Sequence, residues 1–372
     1  MPVRLPSRPL TTEEQAHLAT FHKHLLRSRT ILAVVGAGLS ASSGLPTFRG
    51  AGGLWRNYAS IDLATPEAFL ADPGLVWQFY SSRRYQALKV RPNKGHFALA
   101  ELGRRMEDNG KKFMMLTQNV DGLDIRAGHD PKTCLELHGS LFTLKCTSFA
   151  CTYVEKGNRE HPLVKALEGK EDEFIVQKGR KRVRDEEQEE SMKKVKPDTT
   201  NQEEEGRKCD SEATSDLEDT KSKIQDNVDN HSTETVDEGG SSPEYKPVEH
   251  IPEDELPHCP RCKSGLLRPG VVWFGESLPL DVIDKADQFL VDNEVDLCLV
   301  IGTSGTVWPA MGYVERVKGT GKVAVFNMDE KDIEMTKERG GWGFAGDAAE
   351  WLPLALEPLI GSDFLPRNWK RL

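Results

Sequence analysis

The chain has 372 residues, 37% of them hydrophobic, and a formal charge of −10. That apolar share is low for a fully globular chain, so a part of it is expected to stay outside any packed core. Residues 155–255 hold 17 Lys+Arg against 30 Asp+Glu, a balance of −13 that leaves +3 for the rest, so the folded part is near neutral or weakly basic; no direct nucleic-acid partner is expected.

Seven cysteines, an odd count in a long chain without an apolar leader, argue against a disulfide framework. No apolar run approaches the ~20 residues that span a bilayer, so no membrane partner is expected. Residues 1–20 are read as a flexible N-terminus, whose two Arg and absence of acid before Glu13 allow either a transit peptide or a frayed end. Ala16, Leu18, Ala19, Phe21, Leu25 and Leu26 recur at helical spacing, which predicts a helix over 11–28 leading into a sheet. Four short apolar runs follow, Ile31–Val35, Phe113–Leu116, Asp296–Ile301 and Val323–Phe326. Continuous apolar runs of this length suit strands buried on both faces of a parallel sheet. Helical stretches at 67–90, 94–108 and 279–292 separate them, giving βαβ wiring and an α/β fold. Ligands of such sheets sit at the carboxyl ends of the strands, so the polar tips are expected to meet in one crevice.

The first tip, Gly36-Ala37-Gly38-Leu-Ser40-Ala41, fits Gly-x-Gly-x-x-Gly/Ala, whose small residues let backbone approach a pyrophosphate. Asp62 is the nearest candidate for the usual ribose-binding acid and comes late. Phe48 and Arg49, further along, suit a nicotinamide ring and a phosphate. Cys146-x4-Cys151 and Cys259-x2-Cys262 pair as four thiolates for one structural zinc, with His258 a less favoured substitute. About a hundred residues separate the pairs. This fits if the Glu-, Asp-, Lys- and Ser-rich stretch 155–255 is a disordered insertion leaving the tip of a zinc module at 139–152 and 256–270. Cys134 and Cys298 lie in apolar runs and are read as packed, Cys209 as exposed in the insertion. His138, followed by glycine, suits a general base or a packed core histidine, whereas His96 reads as a hydrogen-bonded helix residue.

Gly36-Ala-Gly-Leu-Ser40, Gly44-Leu-Pro-Thr-Phe-Arg49, Thr117-Gln-Asn-Val-Asp121, Leu137-His-Gly-Ser140, the two Cys pairs, Val272-Trp-Phe-Gly-Glu276 and Gly302-Thr-Ser304 together resemble a sirtuin. The resemblance covers roughly 20–152 and 256–360. It implies a Rossmann-type parallel sheet with helices on both faces, a small zinc-binding domain, a core split into 21–152 and 256–360, and a tail at 361–372. It also implies NAD-dependent removal of acyl groups from protein lysines. The acyl oxygen attacks C1′ of the nicotinamide ribose, nicotinamide leaves, His138 deprotonates a ribose hydroxyl, and water releases lysine and O-acyl-ADP-ribose. Residues matched to NAD are Gly36, Ala37, Gly38, Ser40, Pro46, Thr47, Phe48, Arg49, Trp55, Gln118, Asn119, Asp121, Gly302, Thr303, Ser304, Asn327, Met328 and Ala348, with Asn119 also ordering a water. Val272, Trp273, Phe274, Gly275 and Glu276 would pair with the substrate backbone as an added strand.

Tyr80 and Arg83 stand at i and i+3, on one face of a helix, where phenol and guanidinium can grip a carboxylate. This resembles the Tyr-x-x-Arg of class III sirtuins, which remove succinyl, malonyl and glutaryl groups. A plain deacetylase and a non-catalytic NAD- or partner-binding scaffold are the competing readings. Subclass resemblance points to mitochondria. Basic runs at 178–184 and 193–196 allow a nuclear signal, and the insertion allows protein partners.

Overall fold

The computed structural model describes residues 9–47, 53–56, 58–169, 248–303, 310–331, 333, 340–366 and 369. Helix α1 (Thr12–Arg27) is closed at its start by a reciprocal cap: Glu14 N donates to Thr11 Oγ1 at 3.2 Å, and Thr11 N to Glu14 Oε2 at 2.8 Å. The chain is therefore helical from residue 12, and the expected flexible lead to residue 20 is too long. Phe21 and Leu25 bury the apolar stripe of α1.

Strand β1 (Thr30–Val35) runs into the short helix α2 (Ala37–Ala41). A ribbon of β2 (Leu54–Trp55) and β3 (Tyr58–Ala59) follows, then α3 (Ser60–Leu63), α4 (Pro66–Ala71), α5 (Pro73–Lys89) and α6 (Lys94–Asp108). The apolar stretch 67–90 is thus two helices. Pro73 has no N–H to continue α4 and forces Asp72 out of helical geometry, and the Asp72 carboxylate then caps α5 by accepting from Leu75 N at 2.8 Å. Strand β4 (Lys112–Thr117), α7 (Leu123–Arg126), β5 (Cys134–Glu136), β6 (Gly139–Cys146), β7 (Val154–Glu155) and β8 (Leu267–Val271) come next. The chain closes with α8 (Leu280–Asp292), β9 (Leu297–Ile301), α9 (Ala310–Val317), β10 (Lys322–Asn327), β11 (Trp342–Ala345) and α10 (Ala348–Ile360).

Six parallel strands lie in the order β11-β10-β9-β1-β4-β5. The four apolar runs are the four central strands. Alternation along β1 serves both faces: Ile31, Ala33 and Val35 pack with α1, α6 and α10, while Leu32 and Val34 pack with α8 and α9. Strand order reverses beside β1, which opens a crevice at the carboxyl edge.

A second body is built on α5 and the antiparallel sheet β7-β6-β8, around Trp77, Phe79, Leu141, Leu144 and Leu267. Trp77 Nε1 donates to Leu267 O at 2.9 Å. The flanks of the acidic stretch belong to it. Leu167 and Ile251 are buried there, and Gln78 Nε2 donates to Glu249 O at 2.8 Å. Residues 155–169 and 248–255 are therefore packed rather than part of the insertion, because their few apolar side chains have α5 to bury against. Residues 170–247, with Cys209 and both basic runs, lie outside the described residues. At the other end Phe364 is buried and the Trp369 ring meets Phe97 at 6.3 Å, so this part of the tail is packed onto the main core.

Arg84 ties α5 to the rest of the second body. Its guanidinium is fully buried and donates to the carbonyls of Leu141, Asn158 (3.1 Å) and Glu160 (3.0 Å), and to Asn158 Oδ1 at 2.9 Å. Burial lowers its pKa to about 10, so it is charged at neutral pH. Arg84→Met strands those acceptors without donors, and urea unfolding should show a loss of about 3 kcal/mol. An unchanged unfolding midpoint would contradict this role.

Candidate functional site

The tips of the four central strands are hydrogen-bonded to one another. Gly36 N donates to Ile301 O and Gly38 N to Gly302 O, both at 2.8 Å. Asn119 Nδ2 reaches Gly36 O at 3.1 Å, Gln118 Nε2 reaches Thr303 Oγ1 at 3.4 Å, and Asn327 Nδ2 reaches Thr303 O at 3.1 Å. A Cβ on Gly38 would stand 2.6 Å from Gly302 Cα. The glycine is thus required where two backbone turns touch, a reason the loop motif alone does not reveal. Ala348 starts α10 beside the same edge, where Gly346 N donates to Asn327 O at 2.8 Å. Met328 is exposed, and Pro46 and Thr47 are half-buried. Phe48, Arg49 and Ser304 lie outside the described residues, and Asp62 is exposed on α3.

His138 sits where the chain leaves β5 for β6. Gly139 follows with φ +71°, and a Cβ on it would lie 2.1 Å from Gly270 O, so the turn tolerates no side chain. His138 Nδ1 is 3.0 Å from Gln118 O. A carbonyl only accepts, so Nδ1 carries the proton and Nε2 presents a lone pair. Burial holds the imidazole pKa below its ordinary value, and the Gln118 carbonyl acts weakly the other way.

A chain of directed hydrogen bonds lies behind it. Asn93 N donates to His96 Nδ1 at 3.2 Å, which leaves His96 Nε2–H to face Ser40 Oγ at 3.4 Å. Burial lowers the His96 pKa to about 3, so the ring is neutral. Asn119 Nδ2 also donates to Ser40 Oγ, at 3.2 Å. With two donors on its oxygen, Ser40 has its own proton for Asp121. Asp121 also accepts from Leu123 N at 2.9 Å. Burial raises the Asp121 pKa, and the hydrogen bonds from Leu123 and Ser40, then the Arg83 charge, oppose it. Asp124 and Glu136 were not singled out from the sequence. Burial first, then the Asp121 charge, pushes each up to about 7.

Tyr80 is buried and Arg83 half-buried on α5. The Arg83 guanidinium lies 5.6 Å from the Phe79 ring centroid and is coupled electrostatically to Tyr80 and Asp121. Trp273 Nε1 donates to the Tyr80 hydroxyl at 3.0 Å. Trp55, matched to NAD by resemblance, is fully buried in the second body, its ring 5.7 Å from Phe79.

The stretch 272–276 is not an open edge in this conformation. Val272 N donates to His138 O (2.8 Å), Trp273 N to Glu276 Oε2 (2.8 Å), Phe274 N to Ala64 O (2.9 Å) and Glu276 N to Trp273 O (3.0 Å). An added strand would have to displace the Phe274–Ala64 bond or use the carbonyls and the Gly275 N–H.

The four cysteine sulfurs lie within 4.8 Å of one another, with Cys146–Cys262 and Cys151–Cys259 both at 3.7 Å. Zinc–sulfur bonds of ~2.3 Å in a tetrahedron place sulfurs roughly 3.8 Å apart. Gly265 N and Ser148 N each donate to a sulfur at 3.4 Å, which suits thiolates. The set fits one closed, structural zinc. His258 is held on Leu256 O at 2.8 Å and is outside the cluster. Cys134 and Cys298 are buried, as read from their apolar runs.

Amides, hydroxyls, a carboxylate and an imidazole thus line the carboxyl edge of a parallel sheet, the donor set that a ribose and a carboxamide require. The fold and site define a dinucleotide-binding α/β protein with an appended zinc module. A model of the Sir2 family matches residues 36–309. A Candida albicans protein named NAD-dependent protein deacylase is 51% identical over 92% of this chain and 98% of its own length. The Canis lupus familiaris protein named NAD-dependent protein deacylase sirtuin-5, mitochondrial, is 35% identical over 94% of this chain and 88% of its own. A solved Sir2 homologue–NAD complex aligns with TM-score 0.59 at 28% identity, covering 92% of this chain and 93% of that one. The chain belongs to the Sir2 family.

Metal analysis of the purified protein should find one zinc per chain, and Cys262→Ser should remove it and lower the melting temperature by about 10 °C or more. Retention of full stability without zinc would contradict a structural metal.

Proposed function

We propose that this protein is an NAD-dependent protein lysine deacylase that prefers acidic acyl groups such as succinyl, malonyl and glutaryl. The observation that carries the deacylase reading is the imidazole held by Gln118 O through Nδ1, with its basic Nε2 at a crevice built from four strand tips. NAD, when bound, supplies an electrophilic ribose carbon and nicotinamide as leaving group. Gly36, Ala37, Gly38, Ser40, Gln118, Asn119, Asp121, Thr303 and Asn327 would hold it. His138 takes a proton at Nε2 from the ribose hydroxyl that the acyl carbon must accept. Asn119, whose two amide protons are spent on Gly36 O and Ser40 Oγ, offers its carbonyl oxygen to a water or to the ribose. Arg83 and Tyr80 lie one helical turn apart. A carboxylate-bearing acyl chain brings the half-buried Arg83 guanidinium a full opposite charge, which a neutral acetyl group cannot. The dog relative is named mitochondrial, which favours that compartment for this chain too. No helix among the described residues is long and apolar enough to cross a membrane.

Arg83→Met should lower kcat/KM for a succinyl-lysine peptide by about 100-fold and for the acetyl peptide far less. An equal fall for both sinks the acidic-acyl preference. Formation of deacylated peptide and O-acyl-ADP-ribose, which follows the base step, measured from pH 5 to 8 tests the base. Because burial favours the neutral imidazole, the acid limb of kcat/KM should fall below the ordinary histidine value of about 6.5, and activity should be lost only below that limb. His138→Ala should lower the rate by about 100-fold or more. A limb well above pH 7, or an active His138→Ala, contradicts the assignment.

A further inference from the structure

Trp273 occupies a place that a backbone-pairing role does not explain. Its side chain is buried, tilted against the rings of Phe69 (centroids 5.3 Å) and Tyr80 (6.4 Å), and Arg268 lies over its ring at 3.3 Å. Arg268 is itself fixed by a two-pronged pair with Glu276, Nη1–Oε1 at 2.6 Å and Nη2–Oε2 at 2.9 Å, and Nη2 also donates to Val271 O at 3.1 Å. Glu276 Oε2 accepts the Trp273 main-chain N–H. The indole is therefore locked by its ring face and by its backbone, and its Nε1–H can point only where the frame aims it, at the Tyr80 oxygen 3.0 Å away. An indole N–H donates and never accepts. The phenol must accept this bond, so its own proton is directed to another acceptor. Burial pushes the Tyr80 pKa up to about 12, so that proton is present throughout the neutral range.

We propose that Trp273 is a positioning residue for acyl selectivity: by donating Nε1–H to the Tyr80 oxygen, it turns the phenol's proton toward the carboxylate end of an acidic acyl chain held beside Arg83. Glu276 and Arg268 act one step further back, by holding the indole in place. This rests on the acidic-acyl reading above and adds to it a cause for the orientation of the phenol.

The test compares succinyl- and acetyl-lysine peptides with the full-length enzyme. Trp273→Phe keeps an aromatic ring under Arg268 and removes the donor together with some ring volume, and the Tyr80→Phe background separates the two losses. The succinyl-to-acetyl ratio of kcat/KM should fall about three- to tenfold, mainly through a higher KM for the succinyl peptide. In a Tyr80→Phe background the same substitution should leave the ratio within about twofold, because the phenol it acts through is gone. An unchanged ratio in the single variant, or an equal fall in the Tyr80→Phe background, overturns the proposal. Arg83→Met separates the two levels. If it leaves the ratio unchanged, the acidic-acyl reading itself fails. If it collapses the ratio while Trp273→Phe does nothing, only the positioning role fails. Should Trp273→Phe not fold, the indole N–H signals of the 15N-labelled unaltered protein serve instead. The chain has seven tryptophans, and the signal that Tyr80→Phe displaces is that of Trp273. It should move on addition of succinyl peptide and stay on addition of acetyl peptide. No response to succinyl peptide overturns the proposal.

Discussion

Two backbone turns, after β1 and after β9, press together so closely that neither accepts a Cβ. A side-chain carbon on Gly38 would meet Gly302 Cα at 2.6 Å, and one on Gly302 would meet Leu39 N at 2.5 Å. This contact draws the tips of neighbouring parallel strands into one hydrogen-bonded edge. Gln118 and Asn119 are oriented by it, one on Thr303 and the other on Gly36. Gln118 in turn presents its main-chain carbonyl to His138. The imidazole's tautomer is therefore set, through three links, by a place where only glycine fits.

Burial does the electrostatic work around this edge. His96 and His138 are held neutral by desolvation, whereas Asp124 and Glu136 are held toward the protonated form by desolvation and by Asp121. Adjacent arginines on α5 divide two tasks. Arg84 is committed to carbonyl oxygens of the second body, and Arg83 faces the Tyr80 and Asp121 side. A guanidinium is suited to either place because it stays charged when buried, where a lysine would lose its proton more readily.

The central strands were legible because each is buried on both faces and reads as a continuous apolar run. β5 and β11 were not, since three or four residues at a sheet edge leave too short a pattern. Asp72-Pro73 breaks a stretch whose apolar spacing looks continuous, and only the proline marks it. The cysteine spacing carried the metal site, because four thiols converge for few other reasons. His138 was legible as a candidate base, but its tautomer depends on a carbonyl twenty residues away. Arg84, Asp124 and the Trp273–Tyr80 bond were not legible. Each owes its role to a partner distant in sequence, and a lone Arg, Asp or Trp looks the same wherever its partner lies. Trp55 and the 272–276 stretch were legible as motif matches, and the structure adds their present partners. Motif resemblance matched them to ligands, while packing beside Phe79 and bonds to Ala64 and Glu276 occupy them in this conformation.

The central claim is that this crevice couples a dinucleotide to an acylated lysine. Its most direct test is the product balance of the purified protein with NAD and a succinyl-lysine peptide, followed by mass spectrometry. Free lysine peptide, nicotinamide and O-succinyl-ADP-ribose should appear in equal amounts. Nicotinamide release without the acyl-ADP-ribose, or no release across a range of acyl peptides, would contradict it.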